Sequence, residues 1–165
     1  MSTIDILIEQ FEFNRTRTLG TLDAIEKDAN PRAALAFRPG PGRAHIGWQL
    51  MHIGITEELF ATERLVTGKT GAYQSLHARF RGGSTPDDDV PTPEMIRRIL
   101  TETREELLAT LRGFDDSHLG LVPEGLKERG WTMRTGLLIA GWHEPHHQGQ
   151  AHITYNLYKQ MQNVK

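Results

Sequence analysis

The chain has 165 residues, 38% of them hydrophobic and 24% charged, and a formal net charge of −2. That length fits one domain spanning residues 1–165, with a core that needs no covalent staples; a balance so near neutral excludes a strong nucleic-acid footprint. There is no cysteine, so disulfides and thiolate metal sites are excluded, and any metal must be held by imidazole, carboxylate or carbonyl groups. The lack of cysteine also suits a reducing compartment. No stretch approaches the 18 apolar residues of a membrane span, and the start, Met1-Ser2-Thr3-Ile4-Asp5, lacks the basic-then-apolar order of a signal peptide. The expectation is a cytoplasmic protein with neither nucleic-acid nor membrane partners.

Four long segments carry helical periodicity. In the first, residues 3–27, Ile4, Leu7, Ile8, Phe11, Leu19, Leu22 and Ile25 recur at three- and four-residue steps, the mark of one buried face. Ser2, Thr3 and Asp5 are capping candidates at its start, and Asn30-Pro31 marks a stop after its end. The run Arg38-Pro39-Gly40-Pro41-Gly42 cannot be helical. The second helix is expected over residues 44–67, with a broad apolar surface from Ile46 to Leu65 and Gly68 as terminator. Residues 69–91 read as a long surface connection, in which Asp87, Asp88 and Asp89 are a solvated run rather than a metal site, because successive side chains diverge. The third helix, residues 93–112, opens on Thr92-Pro93-Glu94: a cap, a proline at the first helical position, and an acid facing the helix dipole. Its Arg97-Arg98 pair reads as a solvated face. The fourth helix, residues 133–160, is capped by Thr132. The pattern predicts an all-α fold, a four-helix bundle with a long connection between helices 2 and 3.

Four of the eight histidines fall between His143 and His152, around the string His143-Glu144-Pro145-His146-His147-Gln148-Gly149-Gln150. At about 100° per residue, His143 and His147 lie about 40° apart around a helix and roughly 6 Å apart along it, so both imidazoles can grip one ion. Gln150 falls about 20° from His143 and is a candidate to hydrogen-bond a ligand or bound water; His146 sits about 60° to one side. Two histidines make a weak site, and a third ligand should come from another helix. His52 is the candidate: it stands in Leu50-Met51-His52-Ile53-Gly54, on a face shared with His45, Trp48, Gln49, Thr56 and Leu59. A buried imidazole without a partner is costly, and a metal would satisfy it. Pro145 normally costs a helix about 3 kcal/mol, but the apolar pattern persists on both sides, so a kinked continuous helix is expected. His77, His118 and His152 read as surface residues; Trp48, Trp131 and Trp142 read as packing. Glu144 points about 100° from His143 and is a poor general base.

On these motifs the chain resembles the DinB/YfiT-like superfamily of metal-binding four-helix bundles. The fourth-helix string is similar to that family's H-E-x-H-H-x-G-Q, and His52 falls at the ligand place of the second helix. The resemblance implies metal ligands at His52, His143 and His147. His45 stands where relatives would carry a small polar cap, which leaves it open as a fourth ligand or proton carrier. It further implies homodimers and, for some members, transfer or isomerisation reactions that use a low-molecular-weight thiol. Three imidazoles with an open position suit zinc or nickel and a catalytic site. A metal-dependent transferase acting on a thiol, a metal-dependent hydrolase, and a non-catalytic stress-associated metal-binding protein all remain open, with a small molecule as the expected substrate.

Overall fold

The computed structural model describes residues 1–163, and every element in them is helical. Helix α1 spans Thr3–Glu26, α2 Pro31–Ala36, α3 Ile46–Leu59, α4 His77–Phe80, α5 Pro93–Leu111 and α6 Met133–Asn163. The caps follow the local sequence. Ser2 and Asp5 form a reciprocal capping box on α1, and Thr92 accepts from the Met95 N–H with Pro93 at the first position of α5.

The boundaries depart from expectation in three places. Asn30-Pro31 does end α1, but it also starts α2: Asn30 caps it, accepting from the Ala33 N–H, and Pro31 sets the first turn. The second predicted helix ends early, where α3 widens after Leu59 into a π-turn at Phe60–Arg64. A short 3-10 turn at Glu124–Arg129 lies against that turn so closely that a Cβ on Gly125 would stand 1.8 Å from the Glu63 carbonyl oxygen. The connection expected to be irregular contains α4, which carries Phe80 into the core.

Helix α3 is the central element: every residue in it except Gln49 is buried, the polar His52, Thr56, Glu57 and Glu58 included. It packs on both α5 and α6, and α1 closes against α5 and α6. The core falls into two apolar clusters, one containing Leu22, Leu50, Ile53 and Ile99, the other containing Phe11, Phe60, Leu107 and Leu137. Between them lies a layer of buried charge with one member from each long helix: Arg15 of α1, Glu57 of α3, Arg104 of α5 and Glu144 of α6.

Candidate metal centre

Helix α6 runs unbroken through Pro145. Proline has no N–H for the carbonyl four residues back, and the Gly141 oxygen instead accepts from Asn14 Nδ2 of α1 at 3.1 Å. A side chain from a neighbouring helix thus replaces the missing donor. With the helix continuous, His143 and His147 stay one turn apart, facing α3.

The structure brings both onto His52. One donor nitrogen from each of the three lies within 4.8 Å of the others. His52, 5% exposed, is buried, and the two α6 histidines are half-buried at the mouth. His52 Nδ1 lies 2.6 Å from the Phe80 carbonyl oxygen. A carbonyl can only accept, so Nδ1 carries the proton and Nε2 presents a bare lone pair. That lone pair points at His143 Nε2, 3.0 Å away. His147 Nδ1 is likewise held, 2.5 Å from Gln49 Oε1, which leaves its Nε2 as the acceptor. Trp48 stacks on the His52 ring at 4.7 Å and donates its indole N–H to the Arg79 carbonyl.

The electrostatics keep these rings neutral. Burial first, then repulsion from His147, His52 and Arg64, pushes His143 down to about 2. Burial, with His52 and His146 nearby, pushes His147 down to about 3. His52 is lowered chiefly by burial. Neutral imidazoles are the form that ligates. Converging lone pairs, with no carboxylate in the group to neutralise a proton, fit a divalent metal cation. The Phe80 carbonyl and Gln49 Oε1 accept from His52 and His147 and so fix their tautomers, the kind of outer hydrogen bond that supports metal-binding histidines.

Around this group some residues keep the rim or surface positions expected of them and others do not. Gln150 is exposed and donates Nε2–H to His146 Nε2 at 2.9 Å; Gln49, one turn before His52, is the amide that holds a convergent imidazole. His146 is exposed at the rim, stacked on Trp142 at 4.5 Å. Trp142 does not pack in the core: it is 57% exposed. His45 lies outside the three-histidine group and is itself the cap of α3, its Nδ1 accepting from the Trp48 N–H at 3.0 Å. It is 1% exposed, and its Nε2 has no partner among the described residues. His77 is buried, not a surface residue, because Glu58 of α3 is buried too and meets its Nε2 at 2.6 Å. His152 is exposed and His118 half-exposed. The aspartate run is exposed, as expected, and it also pins the loop: Asp87 and Asp89 pair with Arg79, and Asp88 with Arg38. Arg97 bridges to Asp23 and Glu26 of α1.

Glu144, next to His143, is 1% exposed and turns away from the histidines. It accepts from Arg15 Nε at 2.8 Å, from Thr18 Oγ1 at 2.7 Å and from Arg104. Glu57 accepts from the same two guanidinium groups, sharing Arg104 Nη2 with Glu144. Burial raises the Glu57 carboxyl against the pull of Arg15 and Arg104. Each of the four lies on the buried face of its helix, but its partners stand on other helices, so nothing in the local sequence marks the group.

Architecture and donor set together define an all-helical protein with a group of three histidines able to hold a metal ion. A family model described as the DinB superfamily matches residues 10–151, and the chain belongs to that superfamily. No curated protein matches it at a significant level. No helix among the described residues is long and apolar enough to cross a membrane.

Proposed function

We propose that the protein holds one divalent ion, zinc or nickel, on His52, His143 and His147 and works as a metal-dependent enzyme that activates a thiol cosubstrate, in the manner of a thiol S-transferase. The convergence of three imidazole nitrogens within 4.8 Å carries this reading. When bound, the ion would lower the pKa of a coordinated thiol or water and supply a nucleophile near neutral pH. The chain's own residues do the rest. The Phe80 carbonyl and the Gln49 amide hold two of the rings in the ligating tautomer, and Trp48 covers one side of His52. His146, exposed and hydrogen-bonded to Gln150, supports this reading as a polar group at the rim of the site. Three protein ligands leave a position open for a substrate. We extend the reading to a four-helix bundle with short helices in its connections, to a cytoplasmic location, and to a homodimer, the last supported by apolar side chains left exposed on α1 and α6, among them Phe13 and Leu138.

Protein purified without an affinity tag should carry one zinc or nickel per chain by elemental analysis, and His147→Ala should lose it. Full occupancy in that variant would refute the ligand set. The metal-loaded protein should consume an electrophile only when a low-molecular-weight thiol is added. Turnover of ester or amide substrates without thiol would instead establish a hydrolase. A large fall in melting temperature on chelation, with no turnover under either condition, would establish a non-catalytic metal-binding protein.

A further inference from the structure

A cleft of about 450 Å³ lies directly beside the three histidines, within the size range of small-molecule sites. Two of its lining residues also touch the candidate metal ligands: Trp48 stacks on His52, and Gln49 accepts from His147. Gln150 and Ile153 of α6 form the opposite wall, and Ile153 is left 63% exposed there. Pro39 and Arg43 close the third side.

Arg43 is the one charged side chain lining the cleft, and no carboxylate lies within ion-pair distance of it among the described residues. Its neighbour Arg38 is fully used. Arg38 donates to the Arg43 carbonyl at 2.6 Å, to the Pro86 and Asp87 carbonyls, and to Asp88. The loop is therefore pinned through its backbone while the Arg43 guanidinium stays unpaired. A guanidinium on the rim of a mostly apolar cleft suits a carboxylate on a short apolar body, and the Gln49 and Gln150 amides add neutral polar contacts.

We infer that this cleft binds a small carboxylic acid with an apolar body, its acid end on Arg43 and its body between Trp48 and Ile153, beside the two residues that contact His52 and His147. Its part in a metal-dependent reaction rests on the function proposed above; the cleft itself does not. Calorimetric titration with 4-phenylbutyrate, its uncharged amide and inorganic phosphate, on zinc-loaded and EDTA-treated protein, tests it. The acid should bind at one site in both forms and at least fivefold more tightly than the amide or phosphate. Arg43→Gln should weaken the acid about fivefold and leave the amide unchanged, and Ile153→Ser should weaken both. Both positions are exposed, and melting curves confirm that each variant folds. Acid binding as tight in Arg43→Gln as in the parent, phosphate as tight as the acid, or no saturable binding would overturn the inference. Failure to take up zinc would defeat the metal reading alone, because the EDTA-treated titration still decides the cleft.

Discussion

Glu144→Gln removes one negative charge from the buried layer and little volume. As folded, the layer is balanced, with Arg15 and Arg104 set against Glu57 and Glu144. The substitution leaves two buried guanidinium groups on one carboxylate, and Arg104 already has one buried nitrogen without a partner among the described residues. Breaking a buried pair on one side costs about 3–5 kcal/mol, because the remaining charge stays desolvated. Against a total stability of about 5–15 kcal/mol, that is a large fraction. At about 2–4 °C per kcal/mol for a domain of this size, the melting temperature should fall by roughly 6–20 °C. Urea denaturation of metal-free protein measures it as a fall in midpoint at unchanged slope. Arg104→Met combined with Glu144→Gln restores the charge balance, so the double variant should lose less than the two single losses added together. A loss below about 1 kcal/mol for Glu144→Gln, outside the range for buried pairs, would refute the claim that this layer is dry and mutually dependent.

The remaining predictions concern the histidines and the helix contacts. Gln49→Ala frees the His147 ring from its fixed tautomer, and zinc affinity should drop about 10–100-fold with one ion still bound at saturation; equal affinity in a competition titration with a chromogenic chelator would contradict it. His143 and His147 titrate far below their ordinary value in the folded chain, at about 2 and about 3. Below pH 6.5 the unfolded chain therefore binds more protons than the folded one, and stability falls with pH across the window from 6.5 down to about 3. Melting of metal-free protein between pH 7 and 5 should show this decline, and His143→Gln/His147→Gln should flatten it; an equal slope in the double variant would exclude these rings as the cause. Gly54→Ala places a Cβ 2.8 Å from Ile99 Cγ2, where α3 meets α5, and should destabilise the protein by about 1–3 kcal/mol through overpacking, read from the shift in urea midpoint.

Much of the helical layout is legible in the chain because it is a local property. Thr92-Pro93, Ser2 with Asp5, and the apolar steps of α1 and α5 each depend on residues within a few positions of one another. The pairing of His143 with His147 is legible for the same reason, since a four-residue step fixes two side chains on one face. Asn30-Pro31 is ambiguous at that range: the same dipeptide ends one helix and caps the next. His77 sits in a stretch without periodicity, so nothing local separates a buried histidine from a surface one; its burial depends on Glu58, nineteen residues earlier on another element.

Composition and periodicity by themselves determined that the chain would be helical, that its helices would start and stop near their caps, and that two imidazoles would share a face of α6. Tertiary structure alone decided that His52 meets them, that Asn14 supplies the donor Pro145 lacks, and that four charges from four helices close on one another in the core. The division follows from range. Backbone geometry relates residues a turn apart, whereas a contact across 40 to 129 positions exists only once the helices have packed and water has left the space between them.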